Sequence, residues 1–352
     1  MIILTQLLKL LYFGLQFKPL TSLSVFRLST YSVEIYQSKF KNDWNAFVGH
    51  SKNGTFLFHR DFMEYHQHRF EDYSLMVFKN EELVALLPAN RVGDELHSHQ
   101  GLTYGGLLLS KEVRSEIVLN IYESVLSFLY GRNINVLYLK EIPSIYCVIP
   151  SDEIRYLNFI LNAQLYRRDT LSVIDNQHRL RFSDSRVEGV KRAHKQALQV
   201  VNDDDFKTFW NHILTINLKH KHDAIPVHSL EEILYLKQKF PEHIKQFNVY
   251  HHGNIVAGAT IFETEQVAHC QYISGNSDKN RLGSLDFLHD YLINGVYANK
   301  RYFDFGTSNE NNGKHINKGL QFWKEGFGAR TITQDFYCIK TQNVSLLKSV
   351  LI

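Results

Sequence analysis

The feature that most constrains this chain is a pattern met twice. "MVFKNEELVALLP", beginning at Met76, and "NVYHHGNIVAGAT", beginning at Asn248, both read as strand, polar turn, strand, the signature of a β-hairpin. Aligned, Val77 meets Val249, Phe78 meets Tyr250, Val84 meets Val256 and Ala85 meets Ala257. The turn His252-Gly253-Asn254 has stronger turn chemistry than Asn80-Glu81-Glu82. A strand-like run follows each hairpin, "LTYGGLLL" from Leu102 and "HCQYISGN" from His269. Apolar helix patterns come next, over residues 112–130 and 284–297, and each leads into a strand, "VLYLK" from Val136 and "YFDFG" from Tyr302. Few residues match, but the order of elements does. That order predicts an α/β (α+β) fold of two tandem copies of one unit, each a mixed, mainly antiparallel sheet flanked by helices. The copies are placed at 31–180 and 181–352, the second with a helical insertion, after an apolar extension over 1–30.

A chain of 352 residues is long enough to bury two such cores. A formal charge of +3 is too small to argue for nucleic acid, although it leaves room for a local basic patch. Cys147, Cys270 and Cys338 form no CxxC pair and sit in apolar or aromatic settings, which predicts buried thiols in a reduced, cytoplasmic compartment. His66/His68, His97/His99 and His220/His222 are i,i+2 pairs, yet none has a second pair at ligand spacing, so no metal site is expected. The opening "MIILTQLLKLLYFGLQF" carries one charge, Lys9, and a leucine stripe. It lacks a basic start and a cleavage site and is short for a span. It reads as a docking helix or extension, or as an interfacial anchor giving residues 1–17 peripheral contact with the inner face of a membrane.

Between the copies, "SRVEGVKRAHKQALQVV" places Val187, Val190, Ala197 and Leu198 toward a core and Arg186, Lys191, Arg192 and Lys195 on the other side. This is a solvated basic face or, through Lys191 and Lys195, a surface for phosphate or anionic glycan. Two more helices are expected over 204–221 and 229–239, separated by a loop at Pro226. Further on, "SGNSDKNRLGS" reads as a donor-binding loop for a phosphate-rich group: it can offer bare amides at the positive end of a helix that opens at Gly283-Ser284, with Ser284 as N-cap and Lys279 and Arg281 adding charge. A simple capped loop is the alternative.

The second unit resembles the GNAT acyltransferase fold. The duplication, the basic helix "VKRAHKQAL" and the closing "YFDFG…NKGLQFWKEGFGAR" resemble the Fem-type branch with its tandem GNAT domains. That branch ends in a D-F-G-like strand and a helix with an F-K-x-x-F-G-like element; here Trp323 precedes Lys324, and Phe327-Gly328 follow. The similarity covers roughly residues 31–340 and is specific over 248–340. The loop departs from the acyl-CoA fingerprint Q/R-x-x-G-x-G/A, with Asn280 at its first position and Leu285 at its last. The resemblance implies transfer of an acyl or aminoacyl group from a thioester (acyl-CoA) or charged tRNA to an amine. Fem-type members act on peptidoglycan precursors, and relatives sit in polysaccharide pathways, so a small-molecule or lipid-linked glycan or peptide acceptor is implied. Low net charge tilts the donor toward acyl-CoA.

Acyl transfer needs a neutral amine, a stabilised carbonyl oxygen and an accommodated leaving group. With no G-x-S-x-G and no base beside a cysteine, direct attack is expected, without a covalent enzyme intermediate. Glu263 is read as a base or a plain strand-end carboxylate. Asp304 points opposite to Phe303 and Phe305 and either positions the amine or pairs with a cation. Tyr272 is a proton donor to the leaving group or a half-buried strand tyrosine. Asn309, Glu310 and Asn312 form either a reading edge for hydroxyls and amides or an exposed turn. In the closing helix, Ile316, Leu320, Trp323 and Phe327 are expected to pack inward, with Lys324 on an adjoining polar line, where it either reaches the reacting carbonyl or a donor phosphate or is a surface lysine at the helix end. The first unit is expected to bind acceptor or serve structure. A non-catalytic glycan or peptide binder that keeps the duplicated fold is the other class.

Overall fold

The computed structural model describes residues 30–352; the apolar extension read above lies outside them. In the first half the chain forms β1 (Tyr31–Ile35), β2 (Leu75–Lys79), β3 (Glu82–Leu87), β4 (Asn90–Val92), β5 (Glu95–His97), β6 (Leu108–Leu109), helix α1 (Ser115–Tyr130) and β7 (Val136–Lys140). A long strand, β8 (Gln164–Asp175), and helix α2 (Asp184–Lys195) lead into the second half. There follow β9 (Gln199–Val201), the inserted helices α3 (Thr215–His222) and α4 (Leu230–Lys239), then β10 (Ile244–His251), β11 (Asn254–Glu263) and β12 (Val267–Gly275). Helix α5 (Ser284–Asp290), β13 (Tyr302–Thr307), helix α6 (Lys318–Glu325) and β14 (Arg330–Lys340) complete the fold.

Both predicted hairpins form. Their turns place Asn80 and Glu81, and His252 and Gly253, in the left-handed region, as a two-residue turn matched to strand twist requires. Each hairpin also slips register at the aligned position, between Val77 and Phe78 in one and between Val249 and Tyr250 in the other. A shared irregularity is stronger evidence of duplication than shared hydrophobic residues.

The two halves keep one strand order, with β2, β3–β4, β5–β6 and β7 answering to β10, β11, β12 and β13. Pro88 interrupts the first of these paired strands, since it has no N–H for a ladder. The β3 and β6 portion joins β1 and β2 in a four-stranded sheet, while β4, β5 and β7 join the large one. "LTYGGLLL" is accordingly mostly loop, with only Leu108–Leu109 as strand. Among the described residues the large sheet runs β9-β10-β11-β12-β13-β8-β14-β7-β5-β4 and ends on Glu71–Asp72. Strands β8 and β14 pair with each other at its centre, β8 next to β13 and β14 next to β7. The halves therefore exchange a strand across the boundary drawn at 180/181, and Tyr31–Ile352 pack as one compact unit.

Three local expectations are corrected. The basic helix stops at Lys195, because Ala197 turns left-handed and Leu198 packs from the following segment. Gly189 and Ala193 are its buried residues, while Val187 is exposed. Gly283, not Ser284, is the N-cap of α5. In the closing helix only part of the expected face packs inward: Phe327 is buried and Trp323 half-buried, but Ile316 and Leu320 are exposed, and Lys324 is buried instead of lying on a polar line.

Candidate functional site

Strands β12 and β13 run parallel for only three pairs, Val267 with Tyr302, Ala268 with Phe303 and His269 with Asp304. Beyond that point both turn away. Thr260 of β11 pairs with Tyr272 and Ile261 with Cys270, so Gln271 is an extra residue bulging out of β12. On the other side Gly306 has φ +68°, and the register of β13 on β8 breaks between Asp304 and Thr307. The gap between them is a cavity of about 360 Å³. His269 and Gln271, Asp304 and Thr307, and Tyr104 and Tyr146 of the first half line it. It is thus built by both halves.

Asp304 lies at its floor, 1% exposed. Its Oδ2 accepts hydrogen bonds from the Tyr146 hydroxyl at 2.7 Å and from Nδ1 of His269 at 2.9 Å, and its Oδ1 accepts from the Gly306 amide at 2.7 Å. Burial pushes its pKa up, but His269, the tyrosine hydroxyl and the amide outweigh burial and hold the carboxyl below its ordinary value. Phe303 and Phe305 face the opposite way, into a core shared with Phe327 and His289, as strand alternation requires. With Nδ1 facing the carboxylate, His269 keeps Nε2 for other work. This Asp–His pairing has the geometry of an oriented base.

Lys324 is 2% exposed. Its Nζ donates to the carbonyl oxygens of Gly306 at 3.0 Å and Thr307 at 2.7 Å. It therefore holds the bend in β13 from the helix side. Burial lowers its pKa to about 8, with Asp304 and Cys270 opposing. Cys270 is buried with its Sγ 4.0 Å from Nε2 of His289, and burial raises its thiol pKa.

The other residues singled out from the sequence lie elsewhere. Glu263 is ion-paired with Lys300 at 2.9 Å, on the strand β11 two places from β13. The Tyr272 hydroxyl is held by the amide and Nδ1 of His228, at 3.1 and 2.6 Å, and burial raises its pKa to about 12. Asn309 is consumed by the turn, where its Oδ1 accepts from the Thr170 amide and hydroxyl. Glu310 accepts from Asn317 Nδ2 at 3.1 Å, and Asn312, left-handed at φ +52°, lines a neighbouring groove. Lys191 pairs with Glu188 on the exposed face of α2, and Lys195 is exposed beside it.

The expected donor loop flanks a second cavity of about 320 Å³, lined by Lys279, Asn280, Ser274, Leu285, Leu320 and Trp323 among others. Arg281 turns back on Asp278 at 3.0 Å. Gly283 and Ser284 are buried under α2: a Cβ on Gly283 would come within 2.0 Å of the Gly189 oxygen. Asp286, in the first turn of α5, is paired with Arg186 at 2.6 Å. The positive end of α5 is therefore already occupied by a carboxylate of its own.

No model of a protein family matches the sequence, and no curated protein matches it either. Solved structures do. FemX superposes with a TM-score of 0.63 at 11% identity, over 90% of this chain and 99% of that one. A conserved protein of unknown function from Bacteroides thetaiotaomicron gives 0.56 at 9% identity, over 88% and 100%. A C-terminal domain (DUF2156) assigned to a lysylphosphatidylglycerol synthetase from Agrobacterium fabrum gives 0.52 at 13% identity, over 75% and 83%. The chain has a Fem-like tandem GNAT fold. In this fold the splayed strand pair opens the cavity that is the candidate site.

Of the residues read from the sequence, Asp304 and Lys324 meet at the Fem-like splay. His269 and Tyr146 were missed. A signal for His269 was present, since it lies early in the strand after the second hairpin, as Asp304 does in "YFDFG". Tyr146 lies 158 residues from Asp304 in sequence, and no pattern announces such a contact. No helix among the described residues is long and apolar enough to cross a membrane, and they hold no metal-binding group of three or more His, Cys, Asp or Glu.

Proposed function

We propose that this chain is an N-acyltransferase that moves an aminoacyl group from a charged tRNA to the amine of a cell-envelope precursor, a peptide or an amino sugar. The single observation that carries the reading is the oriented His269–Asp304 pair at the floor of the splayed strands. The acceptor nitrogen attacks the carbonyl carbon of the donor ester and forms the C–N bond. His269 Nε2 takes the proton from that nitrogen. The tetrahedral oxyanion then collapses, the C–O bond breaks, and the ribose oxygen leaves with the proton from His269. Asp304 orients His269 and offsets its transient charge. Lys324 supplies a fixed cation behind the bend of β13, where negative charge develops.

Two features favour the charged tRNA over acyl-CoA, reversing the tilt drawn from net charge. The N-terminus of α5 is covered by α2 and by the Arg186–Asp286 pair, so its amides have little to offer a pyrophosphate. Asn217 of α3 donates to the Gly275 carbonyl and the Ser274 hydroxyl at 2.8 Å each, occupying strand-edge groups that an extended pantetheine arm would use. The synthetase domain's product, lysylphosphatidylglycerol, carries an aminoacyl group, which agrees with such a donor. A cytoplasmic location follows from this donor. The test is incubation of the purified protein with aminoacyl-tRNA and, separately, acetyl-CoA, in the presence of amine acceptors. Transfer or thermal stabilisation with the charged tRNA alone supports the reading. Stabilisation by acetyl-CoA alone would replace the donor, and response to neither would favour a binding protein.

A further inference from the structure

A third, larger opening of about 560 Å³ is lined by residues of both halves, Ser98, His99, Gln100, Lys140 and Arg167 of the first and Lys314 of the second among others. Lys140 lines this groove and the reaction cavity alike. It ends β7, and its partly buried ammonium donates to the Leu102 carbonyl. Among the described residues it has no ion pair, unlike Arg167, which is tied to Asp169 through two hydrogen bonds of 3.0 and 2.6 Å. Nearby, His99 is 3% exposed and its Nδ1 has no hydrogen-bond partner. The groove thus holds a buried cation with no direct ion pair, on which only the Asp169 carboxylate acts through space, beside an unpartnered buried ring nitrogen, and the same cation borders the cavity that holds His269. A cation withdrawn from water costs stability unless an anion joins it.

We infer that Lys140 is the anchor for an anionic group, a phosphate or a carboxylate, carried by the amine acceptor, which reaches from this groove into the reaction cavity. The inference rests on the transferase reading for the word acceptor, but the anion site stands or falls separately. The charged and titratable groups around Lys140 are Arg167 and Asp169 on β8, Glu95, paired with His97, and His99 from the β5 strand and the loop after it, and Lys314 across the groove. Burial lowers the Lys140 pKa to about 8, with Arg167 acting in the same direction and Asp169 opposing. An arriving anion would hold it charged to higher pH. Both histidines are pushed below their ordinary value by burial and stay neutral above pH 7. Arg167 does not titrate in this range, so a change in anion binding through pH 8 reports Lys140.

The experiment is calorimetric titration of the full chain with inorganic phosphate and, in a second arm, with succinate, with no donor present. Saturable binding at pH 7 is expected for one of the two, and the arm that saturates names the anion of the acceptor. That binding weakens about tenfold in Lys140→Gln, is kept in Lys140→Arg, and weakens about tenfold in the unmodified protein at pH 9.5, where phosphate is more highly charged. Should Lys140→Gln fail to fold, the pH arm decides alone. Saturation in neither arm, or equal affinity at pH 7 and 9.5, overturns the anion site while leaving transfer at His269 untouched. Absence of transfer from aminoacyl-tRNA to any amine acceptor, with anion binding intact, would overturn the reading it rests on instead.

Discussion

The same strand pair occurs in both halves with different occupants. In the second half His269 lies beside Asp304 across the parallel strands. In the first, His97 lies beside Tyr138 in the corresponding register, and the two rings stack at 4.8 Å. One position holds a buried carboxylate that fixes the tautomer of its histidine; the other holds a ring that cannot. Beyond the pair, the second half has a one-residue bulge at Gln271, and the first has residues 98–107 as a loop between β5 and β6. That loop delivers Tyr104 and Thr103 to the wall of the other half's cavity. The difference teaches how a duplicated fold divides labour. One copy keeps a histidine oriented by a carboxylate, and the other turns its equivalent strand into a wall.

The comparison breaks first at Asp304. Asp304→Asn keeps the shape but leaves His269 without its anion, and turnover is expected to fall about a thousandfold. In the first half, His97→Gln should cost less than tenfold. Steady-state turnover of the two variants compares the halves directly, and equal losses would erase the distinction.

Lys324 comes next. Lys324→Met removes a cation with no first-half equivalent and should lower turnover on the order of a hundredfold with the fold kept, as judged by circular dichroism. Since burial lowers its pKa to about 8, the lysine is charged below that pH, and turnover should decline as pH rises through it. Lys324→Arg should move that decline to higher pH. A pH–rate profile identical in both proteins would remove the lysine from the site.

The smallest effect is expected on α2. Lys191→Glu with Lys195→Glu alters exposed groups away from both the splay and the donor-side cavity. Turnover within twofold at low and moderate salt is predicted. A strong, salt-sensitive loss would return this helix to substrate binding.

How much was legible beforehand follows from the range of the forces involved. The hairpins, α1 and the strand "YFDFG" were visible because periodicity and turn chemistry are local. Asp304 was visible too, as the polar residue in an aromatic strand. Lys324 was found for its family-like motif, but its environment was misread. The stripe Ile316, Leu320, Trp323, Phe327 assumed a helix beginning early, whereas Ile316 pairs with Asn309 in a short strand and Asn317 caps the helix through Leu320. The shift turns Lys324 inward and Leu320 outward. The exchange of β8 and β14 and the Tyr146–Asp304 bond depend on contacts between distant segments, which no window of sequence displays.

The central claim is that His269 is the base of a transfer reaction in the second half's strand splay. The direct measurement is single-turnover transfer from labelled aminoacyl-tRNA by His269→Gln, with donor affinity determined on the same protein. Transfer should fall about a thousandfold while affinity for the charged tRNA stays within threefold of the unmodified chain. Transfer at the unmodified rate would contradict the claim, whatever the affinity.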